Sequence, residues 1–264
     1  MKKWISIFFF ISFCVTFLNT FCSKPVSYDE TYLEDAFKTN DTIKLEMFFN
    51  NWYELSQPIN KMQYNALDDT IKNAYTLYQL FYNPYDLFEL THDSLYIGLY
   101  DDINYCVVQN VLKVMVVDYL DFNHFDPERY RDKTCYVNEI NNFRPKLDSM
   151  RVIYQSDSFK KIIDQFIQYD SVLDTSLTIK EYYEKRNIIS SKIHFLQRFI
   201  KILPSHWGDY LFITTHPYVY DVIFDSRMDL AIVEYRCEWQ GGEALYQKKN
   251  GKWRKIKSFL TWME

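Results

Sequence analysis

Between residues 230 and 240 the chain reads LAIVEYRCEWQ, in which Val233, Tyr235, Cys237 and Trp239 alternate with Glu234, Arg236 and Glu238. A period of two places the first four on one face of a strand and the three charges on the other, the pattern of a half-buried antiparallel strand. A helix would scatter both sets. Strand-like runs surround it at 199–203, 210–215, 243–250 and 252–262. Gly241-Gly242 and Asn250-Gly251 supply the positive φ angles that tight hairpin turns require. The carboxyl-terminal part therefore reads as a β-meander with tight hairpins.

Upstream the period lengthens to that of a helix. Residues 41–55 place Leu45, Phe48, Phe49, Trp52 and Leu55 at spacings of three and four behind an Asp41 or Thr42 cap, and Pro58 ends the pattern. A second helix over 63–82 carries Leu67, Ile71, Ala74, Tyr75, Tyr78 and Phe81 and stops at Asn83-Pro84, so the two read as an antiparallel pair. Runs at 95–100 and 105–118 read as strands, the second too apolar for an exposed position in a sheet. Residues 118–145 read as a long polar connection. Helices follow over 158–169, with Phe159, Ile162, Ile163, Phe166 and Ile167 on one face, and over 178–195. With 48% apolar residues in 264 the chain has ample material for a core. The predicted class is α+β, N-terminal helices followed by an antiparallel sheet, arranged as lobes 27–145 and 146–264 or as one continuous domain.

Two or more helices followed by long antiparallel strands ending in GGEALYQKKNGKWRKIKSFLTW resemble the cone-shaped fold of the nuclear-transport-factor-two-like superfamily. That resemblance implies a curved sheet wrapped around the helices, with an apolar pocket at its open end. It implies no reaction, because the superfamily holds enzymes and non-enzymes alike. An internal echo, Asn83-Pro84-Tyr85 against His216-Pro217-Tyr218, suggests a duplicated helix-then-strand block.

At the amino terminus Lys2 and Lys3 precede an apolar run from Trp4 to Leu18, the layout of a secretory signal over residues 1–22. Cys22-Ser23, with Leu18 four residues before the cysteine, resembles the lipidated cysteine of bacterial lipoproteins, which implies a diacylglycerol anchor on Cys22. Cleavage after Cys22 without lipid, and retention of the run as an uncleaved span, are the other outcomes. All three predict export to the periplasm, outer membrane or cell surface, with the membrane as a partner. Loss of residues 1–22 removes two lysines and no acid, taking the formal charge from −5 to −7. Such an acidic domain lacks the clustered positive charge that nucleic-acid binding requires. Only five glycines occur, none in a phosphate-cradling loop, and no cofactor is expected. Cys106, Cys135 and Cys237 have no zinc spacing and no redox pair; they read as buried small hydrophobes, with a disulfide between two of them as the alternative.

The candidate binding surface is the aromatic group Trp207, Tyr210, His216 and Tyr218, whose flat side chains suit stacking on a glycan or peptide. The alternative is an envelope hydrolase with His206 or His216 as general base. Strand between the two histidines spans roughly 17 Å, too far for one metal, and no metal site is expected. Asp118, Asp121, Asn123, Asp126 and Glu128 form an acidic loop that departs from a calcium-loop pattern and reads as solvated. Lys248, Lys249, Lys252, Arg254, Lys255 and Lys257 concentrate charge at the last hairpin, where cations keep a sheet edge soluble or meet anionic headgroups.

Overall fold

The structure, a computed structural model, describes residues 26–120, 134–172, 176–205 and 210–263. Residues 1–22 with Cys22, the loop residues Asp121, Asn123, Asp126 and Glu128, and His206 and Trp207 lie outside the described residues, as does the Cys135 side chain. Among the described residues no helix is long and apolar enough to cross a membrane.

The class is α+β. Seven α-helices are described: α1 (Glu30–Lys38), α2 (Thr42–Leu55), α3 (Lys61–Asn65), α4 (Asp69–Phe81), α5 (Phe88–Thr91), α6 (Asp157–Ile167) and α7 (Ile179–Leu196). The caps are those that polar residues at helix starts provide: the Asp41 carboxylate accepts from the Ile43 and Lys44 amides, and Thr178 with Glu181 closes a capping box on α7. Ten strands are described: β1 (Cys106–Gln109), β2 (Val111–Val117), β3 (Thr134–Asn141), β4 (Val152–Gln155), β5 (Leu203–Pro204), β6 (Leu211–Phe212), β7 (Tyr218–Asp225), β8 (Leu230–Cys237), β9 (Gln240–Lys249) and β10 (Lys252–Met263). Six of them form one sheet in the order β10-β9-β8-β7-β2-β3, antiparallel throughout except for the parallel neighbours β2 and β7. The sheet therefore draws on both segments, 27–145 and 146–264.

A second, two-stranded sheet separates two cores. Strands β1 and β4 run parallel, with Cys106 opposite Val152 and Val108 opposite Tyr154. Because side chains alternate, Cys106, Val108, Val152 and Tyr154 enter one apolar cluster with α4 and the large sheet. Val107 and Ile153 enter the other, with α1, α2, α6 and α7. The two helices expected to pair, α2 and α4, accordingly bury their faces in separate clusters. Leu55, read as part of the apolar stripe of α2, is 64% exposed.

Several expected strands are corrected. Residues 95–100 form no strand: a short 3₁₀ turn (Ser94–Tyr96) leads into a bend at Gly98, and Tyr96 is held by its hydroxyl donating to the Cys237 carbonyl at 3.0 Å. The expected duplication loses its symmetry there, since Asn83-Pro84 leads into α5 whereas His216-Pro217 leads into β7. The long run 105–118 breaks after Gln109 into β1 and β2. The connection after Asp118 contains β3, and β4 forms in residues 146–157, to which the sequence assigned no element. Residues 199–203 and 210–215 contract to the two-residue strands β5 and β6.

Gly241 and Gly242 are not a turn but lie inside β9; the turn before it is Glu238-Trp239, with Glu238 at φ 52°. The glycines are there for space. A Cβ at Gly242 would overlap the Phe259 carbonyl and stand 2.7 Å from the Tyr235 hydroxyl, whereas the three atoms nearest one at Gly241 all belong to the Trp262 ring. The Asn250-Gly251 hairpin, with both residues at positive φ, is as expected. Gly242→Ala should therefore lower the unfolding free energy by about 2–4 kcal/mol, since backbone stands in the way. Gly241→Ala should cost less and mainly displace Trp262. Urea denaturation monitored by tryptophan fluorescence distinguishes the two.

Candidate functional site

The outer face of the six-stranded sheet, opposite α4, carries two consecutive cross-strand rows whose composition differs from the apolar rows beside them. One row runs Glu139 (β3), Lys113 (β2), Asp221 (β7), Glu234 (β8), Glu243 (β9) and Phe259 (β10). The next runs Tyr218 (β7), Arg236 (β8), Gly241 (β9) and Trp262 (β10). The alternation seen at Glu234 and Arg236 does place them opposite Val233 and Tyr235, which are buried on the inner face. Yet this outer face is not plain solvent-facing surface.

Asp221, Glu234, Glu243, Tyr220, Thr261 and Trp262 line a cleft of about 290 Å³. Its floor is acidic. Asp221 is answered by Lys113, with Nζ 3.2 Å from Oδ1. Glu243 is only 2% exposed, and its Oε2 has no hydrogen-bond partner among the described residues. Burial first, then the neighbouring Glu234 charge, pushes the Glu243 carboxyl up to about 8, so it is mostly protonated at neutral pH. A neutral carboxyl beside a half-buried Glu234 is how a sheet tolerates two acids directly opposite each other.

The rim is aromatic and held by one cation. Arg236 donates from Nη2 to the Tyr210 hydroxyl at 2.9 Å, from Nη1 to the Tyr220 hydroxyl at 3.3 Å and from Nε to the Glu238 carbonyl at 2.5 Å. Its guanidinium lies 4.5 Å from the Phe212 ring centroid and 5.5 Å from that of Trp262. Tyr220 and Trp262 are thereby fixed while staying 38% and 39% exposed. Gly241 leaves the space over which the Trp262 ring lies.

The residues expected from sequence are distributed around this arrangement. Tyr210, 39% exposed, and Tyr218, half-buried with its ring 5.3 Å from that of Tyr220, do gather about Arg236. His216 does not join them at the surface. It is fully buried, its Nδ1 accepts from the Glu238 amide at 2.6 Å, and its own amide donates to the Tyr100 hydroxyl at 3.1 Å. Burial and the Arg236 charge lower the imidazole to about 3, so it stays neutral and enclosed, a core residue rather than a contact. Cys106 and Cys237 are free and buried, the Cys106 thiol being pushed up to about 11 by burial. At the basic hairpin, Lys248 reaches Asn73, Lys255 pairs with Glu89 and Lys257 lies over Phe259, so these three cations are engaged within the fold.

Glu243, Asp221, Tyr220 and Trp262 were not singled out by sequence. The signal that could have found Glu243 was the Gly-Gly pair before it, once recognised as strand. Comparison with known protein families, characterised proteins and solved structures finds no match to this chain.

The two shifted groups set a pH profile. The raised Glu243 carboxyl makes the folded state hold a proton that the unfolded chain releases, so stability falls as pH rises from about 4.5 through about 8. The lowered His216 makes the unfolded chain hold the extra proton, so stability falls as pH drops from 6.5 towards about 3. The two slopes oppose each other where those windows overlap, placing the stability maximum as a plateau near pH 4.5–6.5. Thermal unfolding across pH should show it, and Glu243→Gln should remove the fall between pH 6.5 and 8.

Proposed function

We propose that this protein acts at a bacterial cell envelope by non-covalent binding of a small polar ligand in the cleft between Glu234, Glu243, Tyr220 and Trp262. The carrying observation is the Glu243 carboxyl: a nearly inaccessible acid, its Oε2 without a described partner, on the floor of a cleft walled by exposed aromatic rings. A buried polar atom left unsatisfied costs about 1–3 kcal/mol, and a ligand donor that reaches it recovers that cost. Fixed rings beside it offer area at small entropic cost, as recognition of a glycan or peptide group requires.

The setting follows from the amino-terminal pattern of Lys2, Lys3 and the apolar run behind them, with Cys22 carrying the lipid. Tethering to a membrane and binding in the cleft are separate parts of this reading. The hydrolytic alternative through His216 has no support from its enclosed position.

A thermal-shift panel of neutral sugars, short peptides and simple amines tests the binding part. At least one class should raise the melting temperature by about 5 °C at saturating concentration, as expected for ligand near a hundredfold above its Kd. The shift should vanish in Trp262→Ala. No shift with any class, or one that survives the substitution, contradicts it. For the tether, palmitate labelling in a bacterial host should mark the wild type and not Cys22→Ala, and the variant should leave the membrane fraction. A membrane fraction unchanged by the substitution contradicts the anchor.

A further inference from the structure

We infer that the cleft takes a primary ammonium group, seated between the carboxyl groups of Glu234 and Glu243 and against the rings of Tyr220 and Trp262. This rests on the binding role proposed above and names the chemistry of the ligand. Glu234 and Glu243 are direct partners on antiparallel strands, which sets their Cβ atoms about 4.5–5.5 Å apart. Like charges so placed repel unless a proton or a cation stands between them.

The charges that face Glu243 come from every strand of the row. On β8 it meets Glu234, and beyond that on β7 Asp221, whose charge is met by Lys113 of β2, itself opposite Glu139 of β3. On β10 its partner is the uncharged Phe259, with the Lys257 ammonium 5.1 Å from that ring's centroid. Arg236, one row along, is bonded to Tyr210, Tyr220 and the Glu238 carbonyl. None of these is hydrogen-bonded to the Glu243 Oε2.

A ligand that supplies both a donor and a positive charge suits the Glu243 carboxyl better than one that supplies a donor alone. A primary ammonium has three N–H donors, enough for Glu243, Glu234 and solvent, and favours the face of an aromatic ring. A sugar hydroxyl satisfies Oε2 but brings no charge to pair with an ionised Glu243. Calcium wants six or more oxygen ligands, and among the described residues no group of three or more acids, histidines or cysteines is arranged to hold a metal ion. The exchange balances simply: the Glu243 carboxylic acid loses its proton to solvent, and the resulting carboxylate pairs with the ammonium.

The proton released gives the test its signature. Isothermal titration of the full chain with n-butylamine hydrochloride, at constant ionic strength, should give one site whose affinity rises roughly tenfold per pH unit from 6 towards 8, because only the deprotonated fraction binds. The heat should differ between phosphate and Tris buffers as released protons are taken up. Glu243→Gln, nearly isosteric, should bind at least tenfold more weakly with no pH dependence, its folding verified by thermal unfolding. n-Butanol should not bind. Affinity independent of pH between 6 and 8, or undiminished in Glu243→Gln, overturns the inference. Binding of n-butanol or a neutral sugar in a Trp262-dependent manner, without n-butylammonium, overturns it while the binding role stands. If nothing binds in the cleft, both fall.

Discussion

The buried side-chain amide of Gln109 joins the parts of this fold. It sits 2% exposed where β1 gives way to β2. Its Nε2 donates to the Val111 and Val219 carbonyls at 2.8 Å each, and its Oε1 accepts from the Val219 amide at 2.7 Å. One amide thus completes the backbone bonding of the chain that breaks and of the strand that arrives beside it. Upstream of the break, β1 divides the two cores with alternate side chains; downstream, β2 takes β7 in parallel. That junction places Lys113 opposite Asp221, and the meander then carries the row on to Glu234 and Glu243.

Helices α2, α6 and α7 and most of α4 were legible because their information is local, whereas α1, α3 and α5 were not read and the helix expected over 63–82 breaks after Asn65. The stripes of α4 and α6, the cap expected at Asp41 or Thr42 and found at Asp41, and the Asn250-Gly251 turn follow from a few neighbouring residues. What local pattern could not give was the break at Gln109, since a uniformly apolar run says nothing about which of two sheets each half joins. Nor could it give β3 or β4, short strands whose pairing is set by distant partners. Gly241-Gly242 carried the wrong signal: the glycines answer the bulk of Trp262 and Tyr235 rather than a demand for positive φ.

The candidate site was half legible for the same reason. Tyr210 and Tyr218 belong to the aromatic neighbourhood of Arg236, but His216 packs beneath it, and the cleft is centred one row away. Glu234 was correctly placed on the outer face, yet its meaning comes from Glu243 on the next strand, and cross-strand register is a tertiary fact. Two acids that are unremarkable in sequence become direct cross-strand neighbours only when β8 and β9 are aligned.

The state of one carboxyl therefore bears most directly on the whole account. With glutamate carboxyl carbons labelled with ¹³C and Glu243 assigned by its absence in Glu243→Gln, an NMR titration from pH 4 to 10 reads its protonation in the folded protein. The structure predicts a midpoint near 8. A Glu243 midpoint near 4.5, the ordinary carboxyl range, would contradict the buried, proton-bearing acid on which the proposed ligand chemistry depends.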